Sequence, residues 1–307
     1  MEKICNDKQI LNPITNRCVN KNGIIGKKLL IDNEKIHLFW ENNSCYIDSI
    51  LIALFHNKNI DILNYPLIIY KNDKLNLLTK KINNELINLF EIIYKRKKHN
   101  TCSILRKTIN NFYNKLIKFN PNKQIIDKNE NWTNSQLDIF DFLNLFQNIY
   151  NIPDDLKFKE GNNINYSNFI FNIPTDLIIN KKKLYINKIL PSFNIKNNKK
   201  IFKTTLLKSD KLFLNIYRNI ETFKLDTKII PAKILKLPDN SFNLYLTSII
   251  IHYGNHHSGH YICLYKSNNK WFEYNDLNNS PIYIGNLNKI IQNNNYISNI
   301  VGLLYIK

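Results

Sequence analysis

HYGNHHSGHYICLYKSNNKWFEYND, residues 252–276, decides how the rest of the chain is read. Tyr245–Ile251, just before it, is β-branched and aromatic, which suits a strand. Gly254 and Gly259 bracket a polar loop, where glycine reaches backbone angles closed to other residues. Tyr261–Lys266 alternates with period two, Ser267–Asn269 can turn, and Trp271–Asn275 alternates again, so a hairpin is expected. A two-residue loop at Ser267-Asn268 pairs 260 with 275, and one at Asn268-Asn269 pairs 262 with 275. Either register places His260 and Asn275 on one face within cross-strand reach, and Asp276 on the other. An odd-numbered loop reverses that parity. A histidine held by a side-chain oxygen is half of a nucleophilic triad. The plainer alternative is a polar hairpin end.

The complementary half lies far upstream, in FWENNSCYIDSILIALF at 39–55. Ile47, Ile50, Leu51 and Leu54 recur at helical spacing. Asn43 or Ser44 can cap this helix, and Asp48 suits the positive end of its dipole. Cys45 then stands at the helix N-terminus, where N–H groups favour the thiolate, so a lowered pKa is expected.

Cys45 in NNSCYIDSILIAL and His260 in HYGNHHSGHY with WFEYND resemble the cysteine and histidine boxes of ubiquitin-specific proteases, and NSCYIDS is most similar to the cylindromatosis-type branch. Between the boxes, SQLDIFDFL (135–143) resembles the family's Gln-Gln-Asp-Ala-x-Glu-Phe-Leu helix, and LFLNIYR (212–218) its core strand ending in arginine. TKIIPAKILKL, YLTSIIIHYG and the final IVGLLYIK match further strands. The resemblance runs in order from about residue 35 to 307. It implies an α+β, papain-like fold: a helical thumb on an antiparallel-sheet palm. No CxxC pair is present, so any fingers are expected to be short and zinc-free.

The resemblance implies Cys45 as nucleophile, His260 as base and Asn275 as orienting residue, with Asp276 the runner-up. The family's usual oxyanion asparagine, five residues before the nucleophile, is here Trp40, which leaves Asn42, Asn43 or backbone N–H groups for that task. Between Asn129 and Asn151 there is no Lys or Arg, while Glu130, Asp138 and Asp141 give −3 inside a chain of +19. Ile139, Phe142, Leu143 and Phe146 form the apolar side of that segment, and Asp138 and Asp141 share another face. The resemblance makes these two aspartates contacts for the basic C-terminal tail of ubiquitin. It implies ubiquitin and ubiquitinated proteins as partners and no cofactor. Rival readings are a catalytically inactive ubiquitin-binding module, a protease for a ubiquitin-like modifier, and a metal site made by His252, His256, His257 and His260.

The 307 residues suit one large domain with a small appendage, and 44% hydrophobic residues suffice for a core. A charge of +19 ordinarily suggests nucleic acid. The lysines are scattered in an Asn- and Ile-rich composition typical of AT-rich coding sequence, so nucleic acid is not an expected partner. No apolar run approaches a bilayer span, and MEKICNDKQILNP has no signal-like core, so a soluble intracellular protein is expected. Five cysteines fit a reducing compartment. Residues 1–30, with Cys5, Cys18, LNPITNRC and GIIGKK, resemble the two-cysteine adaptor module of large DNA viruses, which implies a host-cytoplasmic or virion setting and a boundary before residue 31. From Asn72 to Ile117 the spacing predicts two helices, with stripes Ile82, Leu86, Phe90, Ile93 and Leu105, Ile109, Phe112, Leu116, and no chemistry.

Overall fold

The computed structural model describes residues 5–6, 8–12, 15, 17–26, 29, 37–56, 62–94, 98–99, 101–179, 181–197, 200–220, 223–255, 258–278 and 280–307. Strands β1 (Gln9–Asn12) and β2 (Arg17–Asn20) form a separate antiparallel pair. A disulfide joins Cys5, which precedes β1, to Cys18 on β2. The expected boundary at residues 30–31 lies outside the described residues.

Helix α1 (Cys45–Phe55) follows, then α2 (Asp73–Tyr94), α3 (Ser103–Phe119) and α4 (Ile139–Phe146). The two predicted stripes are the buried faces of α2 and α3, with Phe90 partly covered. On α1 the expectation of one buried face is corrected: all eleven residues are buried. The helix packs on α2, α4 and the palm sheet at once, so its polar Asp48 and Ser49 are enclosed as well. A helix surrounded on every side is the core of the thumb.

The palm and fingers come from the second half. They comprise β3 (Leu156–Glu160), β4 (Asn163–Ser167), β5 (Ile170–Ile173), β6 (Ser192–Asn197), β7 (Lys200–Lys208) and β8 (Lys211–Ile216). After these come β9 (Leu244–Gly254), β10 (Gly259–Ser267), β11 (Lys270–Tyr274), β12 (Ile282–Gly285) and β13 (Ile300–Ile306). The large sheet runs β12-β11-β10-β9-β13-β8-β5, antiparallel except for the parallel β8–β5 edge. Its thumb side carries Cys263, Tyr265, Phe272 and Tyr274 against α1, and its other side carries Ile262, Leu264 and Trp271 into a second core. That alternation fixes the register of β10 and β11, because a one-residue slip exchanges the two faces. A smaller sheet, β4-β3-β7-β6, forms the fingers.

Between β10 and β11 the two-residue loop is Asn268-Asn269, with φ of 48° and 62°. Both values are left-handed, as a type I′ turn demands, and asparagine is among the few side chains that accept them. Cys263 therefore pairs with Tyr274, which selects the second of the two even registers.

Candidate active site

Strand β11 ends at Tyr274, and this termination shapes the site. Asn278 N–H bonds back to the Asn275 carbonyl at 2.9 Å, so residues 275–278 turn rather than continue the pleat. The expectation that Asp276 faces away from His260 is corrected here: period-two alternation lapses where the strand stops. His260 Nε2 is 2.9 Å from Asn275 Oδ1 and 3.3 Å from Asp276 Oδ1. Asn275 Oδ1 also accepts Leu277 N–H at 3.0 Å, which identifies it as the amide oxygen. An oxygen can only accept, so Nε2 carries the hydrogen, and Nδ1 keeps the lone pair of a base.

The loop before Cys45 is built by its asparagines. Asn42 and Asn43 have φ of 48° and 64°, so this pair bends the backbone rather than serving only as amide donors. Asn43 Nδ2 donates to the Asn134 carbonyl at 2.9 Å, while Asn42 is exposed. Ser44 is the N-cap, yet its hydroxyl makes no capping bond. It donates to Asp48 Oδ2 at 2.5 Å and accepts Glu41 N–H at 3.0 Å. Trp40 N–H reaches the Asp276 carbonyl at 3.4 Å, tying this loop to the end of the hairpin.

Cys45 is 1% exposed. Backbone N–H groups of Tyr261 and Tyr46 reach its sulfur, so the residue after His260 touches the nucleophile candidate. The expected lowered pKa is corrected: burial, with the Asp276 and Asp48 carboxyls adding, pushes the thiol up to about 12. Desolvation outweighs the N–H groups because a thiolate in this position has lost its water. Alkylation by a small haloacetamide is accordingly expected to accelerate about tenfold per pH unit from 7 to 9, without a plateau. Comparison with Cys45→Ala isolates that site from Cys102 and Cys263, both buried with raised thiol pKa.

Asp138 is the N-cap of α4, and with Asp141 it forms a reciprocal capping box. Asp138 Oδ1 accepts Phe140 N–H at 2.9 Å, Asp138 N–H reaches Asp141 Oδ2 at 3.0 Å, and Tyr261 Oη donates to Asp138 Oδ2 at 3.3 Å. The pair thus sits at the start of the helix, against the residue beside His260, rather than along a solvated face. Gln136 Nε2 donates to the Gly259 carbonyl and holds the same strand from the other side. His252 stacks on Tyr261 with centroids 4.4 Å apart, and its pKa is lowered to about 4 by burial, Lys224 and His260. No cluster of three metal-ligating side chains occurs among the described residues. His256 and His257, two members of the metal reading, lie outside them.

Arg106 on α3 is a residue the sequence reading did not single out. It is 2% exposed and donates from Nε to the Trp132 carbonyl at 2.9 Å, and from its two terminal nitrogens to Glu41 and Asn42 at 2.6 and 2.7 Å. One guanidinium thus binds the cysteine loop to the segment leading into α4. Its spacing carried the signal: Arg106 stands four residues after Cys102 and three before Ile109, on the buried side. Arg106→Leu is expected to orphan three carbonyls and lower unfolding free energy by about 3 kcal/mol or more in urea titration.

The family model "Ubiquitin carboxyl-terminal hydrolase" matches residues 41–298. "Ubiquitin carboxyl-terminal hydrolase 1" of Saccharomyces cerevisiae is 27% identical over 103 residues, covering 31% of this chain and 13% of the yeast protein. The chain thus aligns with only a small part of that relative. No helix among the described residues is long and apolar enough to cross a membrane. The matched span runs from the cysteine loop past the histidine hairpin, and on it the chain belongs to the ubiquitin carboxyl-terminal hydrolase family of cysteine proteases.

Proposed function

We propose that this chain hydrolyses the amide or isopeptide bond after the C-terminal glycine of ubiquitin, with Cys45 as nucleophile, His260 as base and then acid, and Asn275 and Asp276 orienting the imidazole. The observation that carries the reading is the junction of α1 and β10. There the Cys45 sulfur receives the Tyr261 N–H, and His260 is anchored through Nε2 to two side-chain oxygens. Because the resting thiol is neutral, the chemistry begins with proton transfer rather than from a standing ion pair. His260 Nδ1 takes the thiol proton as sulfur attacks the carbonyl carbon, and the C=O electrons move onto oxygen. Collapse of that oxyanion expels the amine, which takes the proton from Nδ1. Water then cleaves the thioester by the same steps, with His260 again the base.

The oxyanion falls to N–H groups at the α1 N-terminus, with the exposed Asn42 amide as the available side-chain donor. Asn43 has its amide committed to Asn134. Asp138 and Asp141 are the proposed receptors for the arginines of the ubiquitin tail, and no cofactor enters the scheme.

Incubation with ubiquitin bearing a C-terminal vinyl electrophile tests the reading. One covalent adduct per chain is expected, mapped to Cys45 and lost in Cys45→Ala. An adduct on Cys102 or Cys263 overturns the assignment. Absence of any adduct leaves a binding module, and reaction only with the probe of a ubiquitin-like modifier changes the substrate.

A further inference from the structure

Behind His260, the cysteine helix and the histidine hairpin meet through two carboxyl groups that water does not reach. Asp48 is 0% exposed and Asp276 is 3% exposed. Ser44 Oγ occupies Asp48 Oδ2, whereas among the described residues no hydrogen bond reaches Asp48 Oδ1 or either oxygen of Asp276, and His260 Nε2 stands 3.3 Å from Asp276 Oδ1. The two carboxyls act directly on one another. Buried acceptors without donors are rare, and two touching carboxylates in a low dielectric cannot both hold a full charge.

We propose that Asp48 and Asp276 share one proton across the seam between α1 and the hairpin, which makes Asp48 a positioning residue that keeps a single negative charge behind His260. This rests on the catalytic reading of Cys45 and His260 above. One proton turns one carboxyl into a donor for the other, where two carboxylates would offer acceptors alone. The surroundings fit that state from every side. On α3, Arg106 faces Asp48, but three of its five donors are spent on backbone carbonyls, and the Cys102 thiol lies against the same carboxyl. On β11, Tyr274 gives its hydroxyl hydrogen to the Leu38 carbonyl at 2.8 Å and has none left for the pair. Burial raises the pKa of both aspartates, and each raises the Cys45 thiol.

The charge state matters to the reaction. A single charge stabilises the imidazolium formed when His260 takes the thiol proton. A second charge on this pair opposes the thiolate. Loss of the shared proton on the alkaline side therefore slows attack. The pair titrates as a unit, so the resulting limb in the pH profile belongs to both residues.

Asp48→Asn separates this arrangement from ordinary packing. The amide oxygen still accepts from Ser44, the amide nitrogen donates to Asp276, and the pair can no longer acquire a second charge. Infrared difference spectra in the carboxyl region, recorded at neutral pH on the Cys45→Ala background, read the proton without reference to turnover. Wild-type minus Asp48→Asn is expected to show one protonated-carboxyl band, and wild-type minus Asp276→Asn the same band. In the active chain, Asp48→Asn is expected to move the alkaline limb of kcat/KM upward by at least about one pH unit. A difference spectrum with no protonated carboxyl overturns the proposal, and so does an alkaline limb that stays in place. If Asp48→Asn does not fold, Asp276→Asn alone supplies the spectral test. Failure of the ubiquitin probe to react removes the catalytic reading while leaving the infrared result standing.

Discussion

His260→Ala is expected to lower kcat on ubiquitin amide substrates by about 10⁴-fold, the upper end of what a lost general base costs. His260 is the proposed base for a thiol that burial pushes up to about 12, so its loss leaves that proton without its proposed acceptor. The two residues behind the ring are expected to differ in kind. Asn275, with its oxygen at 2.9 Å, fixes the tautomer while carrying no charge. Asn275→Ala should therefore cost about 10²-fold in kcat with KM and the pH profile little moved. Asp276 at 3.3 Å contributes charge. Asp276→Asn replaces one half of the carboxyl pair behind the ring and should lower kcat with KM little moved. Because both act through one N–H, the double variant should lose less than the product of the singles. If neither single change touches kcat, the hairpin leaves the chemistry.

Much of this arrangement was legible in the sequence, and the gaps have definite causes. Apolar periodicity revealed α1, α2, α3 and α4 because each carries apolar residues at helical spacing. It understated α1, whose Asp48 and Ser49 are enclosed by tertiary packing that no local pattern encodes. Either of the two even loops gave the parity of the hairpin, and the structure takes the one at Asn268-Asn269, yet the side of Asp276 was lost because alternation cannot announce where a strand stops. The cysteine pKa was misjudged for a related reason. A helix N-terminus is visible in sequence, but the burial that overrides it is a property of the assembled site. Asn42 and Asn43 were weighed as amide donors, while their left-handed backbone is equally informative: two adjacent asparagines are the side chains best suited to consecutive positive φ. Ser44 illustrates the same limit, since its oxygen accepts Glu41 N–H and its hydrogen goes to Asp48, with no bond to the helix it caps.

Asp138→Ala is expected to raise KM for ubiquitin substrates by tens-fold, with kcat less affected. The proposed cause is loss of a partly enclosed carboxylate facing a tail arginine, a pairing that can cost about 2–5 kcal/mol when one partner is truncated. Loss of the helix cap adds a stability penalty of about 1 kcal/mol, separable by unfolding the free enzyme. Asp141 sharpens the test. Burial, then Asp138, Glu130 and Asp127, lift its carboxyl to about 7, so near neutral pH it is about half protonated before substrate arrives. An arriving arginine favours the ionised form and lowers that pKa, so binding expels a proton. Linkage then requires affinity to rise with pH through about 7, giving a KM that falls between pH 6 and 8. Asp141→Asn keeps an acceptor for the Asp138 N–H but cannot ionise, and should flatten that dependence. Substrates with the tail arginines replaced should lose little further in Asp138→Ala, the mark of coupled partners. Full additivity, or a KM indifferent to pH in the parent chain, would leave the two aspartates with the capping box as their whole task.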